Sequence, residues 1–176
     1  MNLSLSGTSG NWNVAGNWNN GVPGTVAPAD TKAMLNNGAA AAECQVTDVQ
    51  TTVNVVIGDG GTGGDVLRIM SGGNLTSTDW FSVGYSRNSQ MIVETGGVVS
   101  IQGHMWMAAQ DAAANNCILD INGGTVNITG AIGLGTVNGS TPSGGIAHVN
   151  VNAGTLNLSG LSANGSIYDG SVIDIG

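Results

Sequence analysis

The residues best suited to binding a ligand are two tryptophans and a histidine in the middle of the chain. Trp80 precedes Trp106 by 26 residues, and His104 lies two positions before Trp106. An indole ring offers a flat apolar surface on which the C–H groups of a pyranose ring stack, while neighbouring polar side chains bond the sugar hydroxyls. This combination indicates carbohydrate binding, provided that the fold brings the three side chains onto one surface.

Catalysis would need a different set of residues, and the acids of this chain are scattered along the sequence. Glycoside hydrolysis requires two facing carboxylates, and a polysaccharide lyase requires a base together with cations or a metal. Asp79 has no acid at the matching position of the repeat described below. Asp111 and Asp120 would reach a partner only through the geometry of loops. The sequence therefore predicts a protein that is not an enzyme, with an enzyme kept as the third interpretation.

No cofactor or structural metal is expected. Asp59 and Asp65 flank a glycine-rich turn, residues 60–64, that offers the oxygen ligands of a calcium loop. It lacks the regular acid spacing of a calcium-binding repeat, so an ordinary turn is the preferred interpretation and calcium the alternative. Cys44 and Cys117 lie about three repeats apart, which is too far for a disulfide, and two buried free thiols are expected.

A degenerate repeat positions these residues. Four segments align on a turn of small residues, and their sequences are LRIMSGGNLT, MIVETGGVVS, LDINGGTVN and VNVNAGTLN. The second turn residues are Gly73, Gly97, Gly124 and Gly154, with spacings of 24, 27 and 30 residues. Eight residues after the first three of these glycines, a second match begins at Phe81, Met105 and Ile132. Because two markers keep one register, the chain contains a repeating structural unit.

Each repeat contains short strands with alternating apolar residues, separated by Gly and Asn corners. Such a unit buries an apolar surface only when it stacks on its neighbours. The pattern predicts an all-β fold, a right-handed parallel β-helix of about six coils, with handedness taken from the general chirality of parallel crossovers. Residues 1–50 are predicted to form an N-terminal cap and the first coil, and residues 51–176 the coils, within one structural domain. A glycine-rich β-sandwich is the alternative.

The same alignment predicts the direction of individual side chains. The positions of Phe81 and Val83 are apolar in every repeat and are therefore expected to point inward, so the residues between them point outward. Trp80, His104 and Trp106 then share an exposed sheet surface. Four more residues are added to this candidate site, and they are Thr78, Asp79, Gln102 and, at its rim, Tyr85. The alternative is that a loop such as 111–116 folds over the two tryptophans.

Composition excludes several classes of partner. The chain has 11 acids and three cations, and its formal net charge is −8. Three cations do not form the basic surface that nucleic acids require, and no apolar run is long enough to span a membrane. The start at Met1 has no secretory signal pattern. The expectation is either a cytoplasmic protein or, because the chain ends on a strand-like run, a module of a larger secreted protein.

The N-terminal residues carry a resemblance to a known family. Trp12, the Asn17-Trp18 pair, the run Gly21-Val22-Pro23 and Asp30 precede the Gly-Gly repeats. This order is similar to the autotransporter-associated β-strand repeats of large bacterial exported proteins. The resemblance implies a right-handed β-helix on a secreted or cell-surface protein, and it implies no activity.

In architecture, size, low charge and surface aromatics, the chain also resembles the parallel β-helix carbohydrate-binding modules attached to bacterial xylanases. That resemblance implies xylan binding without catalysis and a glycoside hydrolase domain in the parent chain. The expected function is therefore recognition of a plant cell-wall β-glycan, xylan ahead of other hemicelluloses. The alternative is a structural spacer or adhesin segment of a bacterial surface protein with no glycan specificity.

Overall fold

The computed structural model describes residues 2–4, 9–24, 32–35, 43–60, 64–110, 116–137, 141–159 and 171–176. Within these ranges the chain forms 18 strands and one 3-10 helix, Ala15–Asn17. The strands are β1 (Asn2–Ser4), β2 (Ser9–Asn11), β3 (Lys32–Leu35), β4 (Glu43–Val46), β5 (Val49–Thr52), β6 (Asn54–Ile57), β7 (Asp65–Ile69), β8 (Asn74–Ser77), β9 (Phe81–Val83), β10 (Ser89–Glu94), β11 (Val98–Ile101), β12 (Met105–Met107), β13 (Cys117–Ile128), β14 (Ile132–Leu134), β15 (Thr136–Val137), β16 (Thr141–Pro142), β17 (Ala147–Leu158) and β18 (Val172–Ile175).

The strands stack into a parallel β-helix with three sides. The first side is a six-stranded sheet in the order β1-β3-β6-β9-β12-β14. A ten-stranded sheet supplies the other two: β2, β4, β7, β10 and β18 belong to the second side, and β5, β8 and β11 to the third. The long strands β13 and β17 run through both of these sides. Only the small β15–β16 hairpin is antiparallel among the described strands.

The predicted all-β parallel β-helix is confirmed, but it has about five turns where the sequence predicted about six. The difference lies at the C-terminal end of the chain. In the described residues, β18 adds one strand to the second side by pairing with β17, which does not amount to another full turn.

The core follows directly from the alternation of side chains along each strand. On the first side, one inward column is completely or almost completely buried, and its members are Ala33, Val55, Phe81, Met105 and Ile132. A second inward column is fully buried as well, and its members are Leu35, Ile57, Val83, Met107 and Leu134. The predicted inward directions of the Phe81 and Val83 positions are therefore confirmed.

The repeated Gly-Gly turn is explained by the close stacking of coils. Gly96 has a φ of 79°, a backbone conformation that L side chains rarely adopt. Its neighbour Gly97 lies against the preceding coil, where an added Cβ would approach the carbonyl oxygen of Ile69 to 2.9 Å. One glycine thus makes the turn and the other allows the coils to approach each other.

The N-terminal region differs in detail from the predicted cap. Strands β1 and β2 are regular members of the first and second sides, where they pair with β3 and β4. Trp12 and Trp18 are buried in the core, with ring centroids 5.0 Å apart in an edge-to-face arrangement. The Trp18 Nε1–H also donates a hydrogen bond to the Trp12 carbonyl, at 2.7 Å. Both tryptophans are therefore packing residues of the core.

The two cysteines are free and buried, as predicted. Cys44 lies in β4 and Cys117 in β13, and β7 and β10 separate these strands. Three strand spacings of ~4.8 Å put the two residues about 14 Å apart. Burial raises the pKa of Cys44 to about 12, with a smaller contribution from Glu43, and burial also raises the pKa of Cys117 to about 11.

Candidate functional site

The first side carries two outward columns that contain the predicted site residues. Register pairing places Lys32 beside Asn54. The column continues through Trp80, His104 and Ala131, which each precede a strand of the first side by one residue and accept backbone hydrogen bonds from Val55, Phe81 and Met105. Register pairing places Met34, Val56, Ser82, Trp106 and Gly133 in the other column. Trp80 and His104 are therefore neighbours in adjacent coils, and Trp106 lies one column away in the same coil as His104. We call the outer surface formed by Trp80, Tyr85, His104 and Trp106 the aromatic face.

The aromatic face consists of two ring pairs. The His104 and Trp106 rings stack with centroids 5.3 Å apart and planes inclined by 30°. The Trp80 and Tyr85 rings lie 6.1 Å apart and are inclined by 31°. The side chains of all four residues are partly exposed to solvent. Instead of a continuous strip of parallel indoles, the surface offers two separate aromatic elements in adjacent coils.

Small residues make room for the His104–Trp106 pair. An added Cβ on Gly133 would lie 2.4 Å from Cε3 of Trp106, so the indole lies directly over this glycine. The Ala131 amide donates a hydrogen bond to His104 Nδ1 at 2.9 Å. Because Nδ1 accepts this bond, Nε2 carries the proton of the neutral imidazole and remains the donor for an incoming hydroxyl group.

The Trp80–Tyr85 pair is held from two directions. Lys32 places its Nζ over the Trp80 ring, 5.0 Å from the centroid. The Tyr85 hydroxyl accepts a hydrogen bond of 2.5 Å from Gln110 Nε2. Sequence reasoning placed Tyr85 at the rim but missed Lys32. Extending the repeat into the first fifty residues would have found it, because Ala33 and Leu35 match the inward pattern of Phe81 and Val83.

Three predicted residues lie beside the aromatic face in the corners that precede its strands. Thr78 and Asp79 are in the corner between β8 and β9, and Gln102 is in the corner between β11 and β12; all three are exposed. All three lie outside the strands, because β9 begins only at Phe81 and β12 at Met105, and Trp80 and His104 also precede these strands, each by one residue. The three side chains border the surface as hydrogen-bonding groups.

Part of the outward surface is closed. Met34, Val56 and Ser82, which precede Trp106 in their column, are all buried. The Ser82 Oγ has no hydrogen-bond partner among the described residues. Of the loop 111–116, which the alternative interpretation folded over the tryptophans, residues 111–115 lie outside the described residues. Asn116 is described, and its backbone N–H donates a hydrogen bond to Asn88 Oδ1 at 2.9 Å.

Asp120, one of the acids considered for chemistry, lies away from the aromatic face. Asp120 Oδ2 and Oδ1 accept hydrogen bonds from Gln90 and Asn150 on the second side, at 2.6 Å and 2.7 Å. The middle of the glycine-rich turn considered for calcium, residues 61–63, lies outside the described residues, as does Asp111. Burial raises the pKa of Asp59, and the nearby charge of Lys32 partly opposes that shift.

In the part of the chain that the structure describes, no group of three or more His, Cys, Asp or Glu side chains is arranged to hold a metal ion. The described residues also contain no helix long and apolar enough to cross a membrane.

Comparison with known proteins gives no relative from which a role could be transferred. The sequence matches no protein-family model, no curated protein and no solved structure. Only sequence features therefore connect the chain to known families, and the aromatic face is its main indication of a function.

Proposed function

We propose that the protein is a non-catalytic carbohydrate-binding module for a plant cell-wall β-glycan, with xylan as the first candidate. One observation carries this proposal: two partly exposed aromatic pairs lie on the first side in adjacent coils, at the ends of β9 and on β12. Leaving aromatic surface in contact with water has an energetic cost, and clustered apolar surface often marks a binding site.

The geometry supports a ligand that lies across the coils. Successive strands are ~4.8 Å apart, so an extended sugar chain running along the solenoid axis meets both ring pairs. The rings contact the C–H faces of the sugar units. Hydroxyl groups bond to the neighbouring donors and acceptors, which are His104 Nε2 and the side chains of Thr78, Asp79 and Gln102. The neutral character of most of these groups suits a polymer with little charge.

The aromatic face is expected to bind its ligand with modest affinity by itself. In our proposal the module belongs to a larger secreted or cell-surface bacterial protein that also contains a glycoside hydrolase domain. Tethering raises the effective concentration of such a domain at the polymer, commonly to about the millimolar range for short linkers. The module then contributes localisation, and the chemistry is performed elsewhere in the parent chain.

A structural spacer or adhesin segment is the second candidate, and side-chain ladders on the other two sides favour it. On the second side, Arg68 bonds to Glu43 at 3.0 Å and to Glu94 at 2.5 Å. On the outside of β13 and β17, the Asn152 side chain donates a hydrogen bond of 2.9 Å to the Asn122 side chain in the coil on which it stacks. These contacts stabilise the stack of coils.

Affinity electrophoresis in gels containing soluble xylan tests the proposal. The wild-type protein is expected to be retarded, and Trp80→Ala and Trp106→Ala are each expected to lose most of this retardation. Val49→Ala is the matched control, because Val49 is 72% exposed on the third side and its removal leaves the aromatic face intact. Circular dichroism establishes that each variant is folded.

Two outcomes contradict the proposal. Unchanged migration of both tryptophan variants beside a retarded wild type would remove the aromatic face from the binding site. A wild type that is not retarded by xylan or by other β-glycans would favour the spacer.

A further inference from the structure

The positive charges of this chain are few and unevenly placed. There are three cations, Lys32, Arg68 and Arg87, against 11 acids. Arg68 is held between Glu43 and Glu94 on the second side. Arg87 donates a hydrogen bond from Nη1 to the Ser86 carbonyl at 2.6 Å. The single lysine is the cation that lies against the aromatic face.

Lys32 keeps donor capacity for a ligand in this position. An ammonium group has three N–H donors, and the Trp80 ring attracts it from one direction only. Such a cation–π contact is weak outside the core, so it positions the ammonium group and leaves its charge available to a ligand. Among the described residues, both ion pairs shorter than 4 Å involve Arg68, and neither involves Lys32.

We propose that the aromatic face recognises β-glycans carrying isolated carboxylate groups, such as xylan substituted with glucuronic acid, and that Lys32 pairs with this carboxylate. The inference rests on the proposed carbohydrate binding and names its substrate class. The sugar ring lies beside the Trp80–Tyr85 pair, where its carboxylate meets the ammonium group that lies over the Trp80 ring. Neutral polar groups around His104–Trp106 hold the unsubstituted part of the chain.

The charge of the protein limits how acidic the ligand is. With a net charge of −8, the chain repels a polymer that carries a carboxylate on every unit. Asp79 is exposed beside the face, and Asp59 is close enough to Lys32 for its pKa to respond. At ~0.1 M salt the screening length is about 10 Å, so distant acids matter less than the contact with Lys32. Sparse carboxylates are therefore favoured over polyuronates such as polygalacturonate.

Titration calorimetry with two matched oligosaccharides tests this inference. One is a linear xylo-oligosaccharide, and the other is the same chain with one glucuronic acid branch. The wild type is expected to bind the acidic ligand about fivefold more tightly at low salt, as one exposed ion pair allows. The ratio should fall towards one at ~0.5 M salt, because the pair is exposed.

Three variants identify the group responsible. Lys32→Gln should bind the two ligands with equal affinity, and Lys32→Arg should retain the preference. Thr155→Asp changes the net charge by the same amount at an exposed position on the third side, remote from the aromatic face, and should also retain it.

The failures of the two proposals are distinguishable. Equal wild-type affinity for both ligands overturns the carboxylate preference and leaves carbohydrate binding intact. A Lys32→Gln variant that loses both ligands equally overturns it too, because Lys32 would then only support the Trp80 ring. Binding of neither ligand by the wild type overturns the proposed function, and the carboxylate preference with it.

Discussion

The two ends of the solenoid bury their apolar residues to very different extents. At the N-terminal end, Trp12 and Trp18 close the core with a buried edge-to-face pair and an indole-to-carbonyl hydrogen bond. At the other end, β17 and β18 leave apolar side chains in contact with solvent, with Leu158 37% and Ile175 76% exposed. A groove of about 440 Å³ lies between these last two strands and includes both residues in its lining.

This difference indicates an uneven distribution of stability along the axis. In a stacked repeat, each coil gains most of its stability from burying its apolar surface against its neighbours. A coil covered on both sides opens rarely, and a partly covered coil opens more often. Opening is therefore expected to begin at the C-terminal strands, away from the tryptophans.

The largest expected effect comes from removing the closure at the N-terminal end. Trp12→Ala is expected to lower the free energy of unfolding by about 3–5 kcal/mol, since it leaves a cavity in a fully buried site. Urea denaturation measures this loss. The matched control at the other end is Val172→Ala, at a side chain that is 47% exposed, where a change below about 0.5 kcal/mol is expected. Equal losses at the two positions would contradict the proposed difference between the ends.

An intermediate effect is expected in the middle of the solenoid, where coils stack closely. Gly124→Ala adds a Cβ only 2.5 Å from Val93 Cγ1 and 2.7 Å from the Glu94 carbonyl oxygen. The backbone and side-chain shifts that accommodate this Cβ should lower the free energy of unfolding by about 1–3 kcal/mol. Gly16→Ala is the control, because an added Cβ there meets nothing within 4 Å. Thermal unfolding of the two variants compares them, and similar melting temperatures would show that the coils tolerate more separation than the structure indicates.

The smallest effect is expected from the charge ladder on the second side. Hydrogen bonds from Arg68 and, to a smaller extent, Gln45 lower the pKa of Glu43 below its usual 4.5. A lowered folded-state pKa gives stability that is complete above the unfolded-state value and is lost as the pH falls through the folded-state value. Arg68→Gln should therefore cost about 0.5 kcal/mol at pH 7, and the cost should shrink below about pH 4. Denaturation series at pH 7 and pH 3 measure it, and a cost that is independent of pH would assign it to packing.

The fold was predictable from the sequence because its main signals are local. Alternation along each strand determines which side chains point inward, and a glycine turn at matching positions determines the register, so Phe81 and Val83 could be assigned before their neighbours in space were known. The number of turns was harder to predict from the sequence, because a strand-like segment such as β18 has the same pattern whether it begins a full coil or ends one.

The detailed surface depended on contacts between distant parts of the chain. Trp80, His104 and Trp106 were predicted on an exposed sheet surface and are half-buried, and their separation into two pairs depends on Tyr85 and on the space above Gly133. The position of Lys32 over Trp80 joins residues 48 positions apart. Burial of Val56 and Met34 in an outward column is equally a property of packing, which alternation alone does not predict.

The two buried thiols report on the opening of the coils that contain them. Cys44 lies near the end closed by the tryptophans, and Cys117 lies in β13, one strand from β17. With pKa values of about 12 and about 11, both sulfurs are almost entirely protonated at neutral pH and inert towards alkylating reagents while the coils are closed. Each thiol reacts only when its own coil opens. The order in which the two are modified therefore records the direction in which the solenoid unwinds.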